Sequence, residues 1–345
     1  PPLAPAAGLR AKATQPKLED RFGRFHNYLR ISLTERCNLR CTYCMPEEGV
    51  NLTPEERLLS GEEIKRIARI FVNEGTTRIR LTGGEPLLRR DLPEIIESTS
   101  ELRSQGLQEI AMTTNGITLG RKAKALADAG LDSVNVSLDT LDPFKFQLLT
   151  RRKGMEKVLE GVQTALDVGL KVKVNAVIIR GLNDDDVEGF ASMAVDRPLE
   201  VRFIEYMPFD GNRWDREKLV PYSELVDRIR EKYPDFERKQ LEDAPNAVSK
   251  LWHADGWEGR VGFISSMTDH FCATCNRVRV TADGNLKVCL FGNDEVSLRD
   301  AFRSGASDEE VMELVSGALS RKKPRHAGMF NIAAQTMRPM TTIGG

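Results

Sequence analysis

No apolar run in this sequence approaches the roughly 18 residues that a membrane-crossing helix requires, which excludes a helical span. No excess charge of either sign is present: 50 Lys and Arg stand against 51 Asp and Glu in a chain of 345 residues. That balance gives no whole-chain argument for nucleic acid or a membrane surface, so affinity for anions must come from local placement of cations. Cysteine is absent outside two short groups, and the sequence shows no secretory signal, which argues against a disulfide framework. A hydrophobic fraction of 40%, 29% charged residues and 27 glycines show none of the skews that mark collagen-like, disordered or membrane chains. The length suits one large domain or two ordinary ones.

The first residues carry Arg10, Lys12 and Lys17 with no acid before Glu19. That composition suits an organelle transit segment and equally an ordinary disordered extension, so residues 1–20 are expected to be a disordered or targeting remnant.

The cysteines form two triplets. Cys37, Cys41 and Cys44 are spaced C-x3-C-x2-C; Cys272, Cys275 and Cys289 are spaced C-x2-C-x13-C. Closed structural zinc sites want four ligands, and of the four histidines only His270 lies beside a triplet. Thiolate-rich sites select zinc or iron–sulfur clusters. A cubane [4Fe–4S] cluster held by three cysteines keeps one iron open to another molecule.

From about residue 26 to 207, β-like runs alternate with helical patterns, as six βα units. Along the strands apolar and polar residues alternate: Leu29 and Ile31 against Arg30 and Ser32, Ile79 and Leu81 against Arg80 and Thr82, Val172 and Val174 against Lys173 and Asn175. Successive side chains face opposite ways, so one face packs on helices while the other is polar. An antiparallel sheet with one wet face gives the same alternation, but the intervening helices favour a curved parallel sheet, an incomplete (β/α)6 TIM-like barrel. Its polar lumen carries Arg30, Arg80, Lys173 and Arg202 and calls for an anionic ligand, phosphate above all.

Ligand sites of parallel α/β folds gather at the C-terminal strand ends. The first triplet follows strand one, and Gly83-Gly84-Glu85-Pro86 follows strand two. After about 210 the βα rhythm fades; Asp283-Gly284 reads as a hairpin that places Cys289 on a strand returning toward Cys272 and Cys275. Arg277 and Arg279 alternate with Val278 and Val280, so both guanidinium groups share a face. The organisation expected is a partial barrel over 21–240 and an α+β extension over 241–345 carrying the second cluster.

The C-x3-C-x2-C spacing with Tyr43 inside it resembles the radical S-adenosylmethionine (SAM) superfamily. Together with RIRLTGGEP, TTNG, NVSLD, VKVN, RFIEYMP, CNRVR and a terminal Gly344-Gly345, the chain from about Arg21 onward resembles the GTP 3′,8-cyclase family of molybdenum cofactor biosynthesis, with HAGMF and NLKVCLFG most like eukaryotic members. The resemblance implies two [4Fe–4S] clusters on the six cysteines, and SAM among Tyr43, Gly84, Ser137 and Met207. It further implies GTP among Arg30, Arg80, Thr113, Lys173, Arg277 and Arg279, with Arg277 and Arg279 also serving catalysis. Arg202 is expected to hold a phosphate or a neighbouring carboxylate. In such a lyase GTP becomes a 3′,8-cyclo-7,8-dihydro-GTP, and a flexible Gly-Gly tail reaches the active site. The resemblance implies a homodimer, an external electron donor and a cyclic pyranopterin monophosphate synthase that takes the product. No nucleic-acid or membrane partner is expected, and the location implied is the mitochondrial matrix, or the cytoplasm for a bacterial protein. A peptide-modifying radical SAM maturase, which also carries extra C-terminal cysteines, is the enzymatic alternative; a zinc-binding interaction protein is the non-enzymatic one.

Overall fold

A computed structural model describes residues 16–45, 47–208, 214–238, 246–269, 271–333 and 338–343. The alternating runs become β1 (Tyr28–Ser32), β2 (Arg78–Thr82), β3 (Glu109–Thr114), β4 (Ser133–Ser137), β5 (Lys171–Ile178) and β6 (Glu200–Glu205). Five more strands follow: β7 (Lys250–Trp252), β8 (Arg260–Ile264), β9 (Arg277–Val280), β10 (Asn285–Lys287) and β11 (Glu295–Ser297). All join one sheet in the order β11-β10-β9-β1-β2-β3-β4-β5-β6-β8-β7. Strands β1 to β6 pair in chain order, every pair parallel, which sets the antiparallel alternative aside. The protein is therefore an α/β fold with a parallel-dominated sheet.

The crossovers are helical because their sequences are amphipathic. In the helix Gly61–Asn73, Ile64, Ile67, Ala68 and Phe71 recur at helical spacing and are all buried. Ser60 caps it: the hydroxyl accepts the Glu63 amide at 3.1 Å and the Glu63 carboxylate accepts the Ser60 amide at 2.8 Å. Gly75, at φ +101°, turns the chain out toward β2. Each large side chain buried on that face contributes about 1.5–3 kcal/mol, so a carboxylate at Ile67 would unseat the helix.

The rhythm that fades in the sequence continues in space. Strand β8 lies parallel beside β6, with β7 antiparallel beyond it. At the opposite edge β9 lies parallel beside β1, followed by antiparallel β10 and β11. Strands from both sides of residue 240 thus share one sheet.

Residues 16–20 differ from the expectation of a remnant over 1–20. Leu18 and Asp20 are fully buried. The Asp20 carboxylate accepts the amides of Phe22 and Arg24 at 2.9 and 3.1 Å and pairs with Arg24 Nε at 2.6 Å. A single leucine reaching the core and one carboxylate satisfying a turn fix a segment whose composition looks unstructured. The rest of that segment, residues 1–15, lies outside the described residues.

Candidate active site

Register places the two triplets at opposite ends of the parallel strands. The loop with Cys37, Cys41 and Cys44 leaves the C-terminal end of β1. Strand β9 runs parallel to β1 with Tyr28 opposite Arg277 and Arg30 opposite Arg279, so Cys272 and Cys275, which precede β9, sit at the N-terminal end. Strand β10 returns antiparallel with Lys287 opposite Arg279, directing the chain back to that end. Cys289 lies two residues beyond β10 rather than on the strand, because β10 ends at Lys287. One cavity of about 1040 Å³ connects these ends, and all six cysteines line it. Tyr43, Gly84, Thr113, Ser137, Met207 and the cations Arg30, Arg80, Lys173, Arg202, Arg277 and Arg279 line the same cavity.

The first triplet rests on a glycine platform. A Cβ on Gly84 would lie 2.4 Å from Arg36 O and 2.6 Å from Glu35 O, and one on Gly83 would meet Thr34 O at 2.6 Å. Only glycine permits the strand-two loop to lie this close beneath the cysteine loop. The Glu85 carboxylate braces the pair, accepting from Thr114 Oγ1 at 2.8 Å, Asn115 N at 2.7 Å and Leu87 N at 3.0 Å; burial pushes it up to about 7. Tyr43 donates its hydroxyl to Asp139 at 2.5 Å. Burial, with Cys37 and Asp139 nearby, pushes the Cys44 thiol up to about 12, and Cys41 likewise rises well above its ordinary value.

The second triplet is mixed: burial raises the Cys272 thiol, while Cys275 goes the other way. Burial would raise Cys275, but Lys322 and Arg277 outweigh it and bring the thiol down to about 7. Lys322 Nζ lies 3.6 Å from Cys275 Sγ, 3.1 Å from Arg277 O and 2.7 Å from His26 Nε2. Arg24 donates to Cys272 O at 2.8 Å.

Between the ends lies a cationic row. Arg279, Arg30 and Arg80 occupy directly opposed positions on β9, β1 and β2. Cross-strand partners stand about 5 Å apart at Cβ, where like charges repel. Burial, then Arg279, pushes Arg30 well below its ordinary value; burial, then Arg277, brings Arg279 down to about 10. Arg30 Nε, Arg80 Nε and Arg277 Nη2 are buried without a protein acceptor. Burial and Arg202 bring Lys173 down to about 8. Arg202 itself is paired with the neighbouring Glu200 carboxylate. Unpaired buried donors on repelling cations are costly unless an anion completes them.

The donor sets suit clusters at both ends. Each triplet brings three thiols to its end of the cavity, and thiolates are the donors that iron–sulfur clusters take. His270 and Gly344-Gly345 lie outside the described residues. Sequence reasoning passed over Tyr28, Asp139, Lys322 and Glu200. Tyr28 shares strand parity with Arg30 and Asp139 closes NVSLD, signals that were present; Lys322 sits in a charge run with none.

Residues 31–194 match the Radical SAM superfamily and residues 199–328 match Molybdenum Cofactor Synthesis C. Over 95% of its length the chain is 56% identical to "GTP 3',8-cyclase, mitochondrial" of Arabidopsis thaliana, covering 83% of that protein. It is 56% identical, again over 95% of its length, to "Molybdenum cofactor biosynthesis protein 1" of Mus musculus, spanning only 51% of that longer relative. Among solved structures, Streptococcus suis SuiB bound to S-adenosylmethionine shares the fold, with a TM-score of 0.56 at 16% identity over 84% of this chain and 68% of that one. With two matched regions in series and this identity across nearly its whole length, the chain belongs to the GTP 3′,8-cyclase family of radical SAM proteins.

Proposed function

We propose that this chain is a radical SAM lyase converting GTP to (8S)-3′,8-cyclo-7,8-dihydroguanosine 5′-triphosphate, the first step of molybdenum cofactor biosynthesis. The observation that carries the reading is the single cavity lined by both cysteine triplets, with buried nitrogens of Arg30, Arg80 and Arg277 between them that have no protein acceptor. The parallel strands act as an incomplete (β/α)6 barrel over 21–240, and 241–345 supplies the second cluster site and the tail.

Cys37, Cys41 and Cys44 hold a [4Fe–4S] cluster, with SAM placed by Tyr43, Gly84, Ser137 and Met207; Cys272, Cys275 and Cys289 hold a second [4Fe–4S] cluster. When bound, the first cluster and SAM supply the radical that takes hydrogen from ribose C3′. The chain's own part is positioning, which the fixed spacing of the two ends makes possible. Arg30, Arg80, Lys173 and Thr113 take the triphosphate and sugar, and the alignment of Arg279 with Arg30 directs the phosphates along the row. Arg277 and Arg279, nearest the second triplet in sequence, hold the nucleotide while C8 is attacked.

The relatives with 56% identity bear cyclase and molybdenum cofactor names, which supports the nucleotide reading over a peptide-modifying one. The mitochondrial name of the Arabidopsis relative supports a mitochondrial location, which we take to be the matrix. An external electron donor, a homodimer and hand-over to a cyclic pyranopterin monophosphate synthase complete the reading.

The test is anaerobic incubation of the reconstituted protein with SAM, a reductant and single nucleotides. 5′-Deoxyadenosine should form with GTP far above the level with ATP or none; equal formation in all three defeats the substrate assignment.

A further inference from the structure

Lys322 follows the helix Asp308–Ser320, in the run Arg321-Lys322-Lys323, where a surface cation would be expected, yet it is only 4% exposed. An ammonium has three donors, and each here has one acceptor: His26 Nε2 at 2.7 Å, Arg277 O at 3.1 Å and Cys275 Sγ at 3.6 Å. His26 Nδ1 faces Leu18 O at 3.2 Å, which assigns its proton to Nδ1 and leaves Nε2 free to accept from the ammonium. Two of the three acceptors are therefore neutral, and the Cys275 sulfur is the one that can carry an anionic charge. Asp20, the nearest carboxylate in this group, is engaged by Arg24 at 2.6 Å and lies 3.8 Å from the imidazole. A buried ammonium needs a compensating anion, and here the thiolate provides it. Among the described residues of the first triplet, the sulfurs accept from the Leu39 amide and Asn115; Arg40 adds positive charge at Cys37 from its bond to the Cys37 carbonyl at 2.8 Å, and Asp139 adds negative charge at Cys41 and Cys44, but no ammonium donates to a sulfur there.

Resting on the reading that the second triplet holds a cluster, we propose that Lys322 is a positioning residue that donates to the Cys275 ligand sulfur, raises the reduction potential of that cluster above that of the first, and fixes the start of β9 through the Arg277 carbonyl. Charge and hydrogen bonds at ligand sulfurs are the protein's levers on cluster potential. Both act here in one direction, since a cation favours the reduced, more negative cluster. Clusters held at the two ends of the cavity would then differ in reduction potential, the one beside Lys322 being the more easily reduced.

Potentiometric EPR titration of the anaerobically reconstituted full chain reads this directly, with a Cys272→Ser/Cys275→Ser/Cys289→Ser variant supplying the signal of the first cluster for subtraction. Lys322→Met keeps the stem and loses the charge; Lys322→Gln keeps an N–H donor without the charge. In Lys322→Met the reduced-to-oxidised ratio of the second cluster, read at the wild-type midpoint, should fall about tenfold, ~59 mV for one electron, with the first cluster unmoved; Lys322→Gln should shift the same way by less. An unchanged midpoint in a variant that retains full iron overturns the assignment, and so does loss of the second cluster's iron in both variants, which would make Lys322 a scaffold residue. Wild-type protein that takes up only about four irons refutes the second-cluster reading instead, a separate outcome.

Discussion

Replacing Arg30 by Met should make the nucleotide-free protein more stable and a poorer binder. Arg30 stands between Arg279 and Arg80 on adjacent strands, its Nε without an acceptor. At an effective dielectric of about 20, unit charges roughly 6–8 Å apart repel by about 2–3 kcal/mol per pair, and Arg30 takes part in two such pairs. Methionine keeps most of the packed stem and removes both repulsions, offset by lost contact between the guanidinium and the Tyr28 ring 5.6 Å away. With about 2 kcal/mol set against the repulsions for that contact, a net gain of about 2–4 kcal/mol remains, a rise of ~3–6 °C in Tm. The same change removes one partner of a buried phosphate contact, costing about 2–4 kcal/mol in binding, or roughly 30- to 800-fold in Kd. Differential scanning calorimetry without nucleotide and calorimetric titration with GTP read the two numbers on one reconstituted preparation. If Tm instead drops as in ordinary core truncation while GTP affinity holds, the cation row is scaffold and the electrostatic reasoning fails.

Lys173 gives a pH signature. Its folded value of about 8 lies below the ordinary 10.5, so between those values the unfolded chain binds more protons and nucleotide-free stability rises with pH. GTP affinity should fall over the same window, as the empty site loses its charge, and Lys173→Met should flatten both slopes in a pH series of melts and titrations. Gly84→Ala drives a methyl into Arg36 O and Glu35 O; about 1–3 kcal/mol of strain should displace the cysteine loop, with iron and SAM binding lost at the first triplet and the second intact by EPR. Leu18→Ala should cost about 2–4 kcal/mol in urea melts, whereas a loss under 0.5 kcal/mol would return residues 16–20 to the unstructured segment.

Much of the site was legible because its signals are local. Cysteine spacing needs no tertiary information, and strand parity put Arg30, Arg80 and Lys173 on one face before any pairing was known. Non-local features were hidden. RVRV at 277–280 reads the same in a parallel or an antiparallel strand, and its place beside β1 depends on a contact some 250 residues distant in sequence. The helix Pro143–Thr150, on which the first cysteine loop rests through Arg40 N to Thr150 O at 3.0 Å, has no usable periodicity because Phe144 is 83% exposed while Phe146 and Leu149 are buried. Lys322 was invisible for the opposite reason: a lysine among Arg321 and Lys323 looks solvated, and only the fold shows that it points inward. Leu18 was a lone apolar residue in a basic stretch, too little pattern to reveal a buried anchor.

Iron and acid-labile sulfide counted after anaerobic reconstitution test the central claim most directly. Two three-cysteine cubanes predict about eight irons and eight sulfides per chain, falling to about four of each when either triplet is changed to serine. About four irons in the unaltered chain, or stoichiometric zinc without a visible chromophore, would contradict the account.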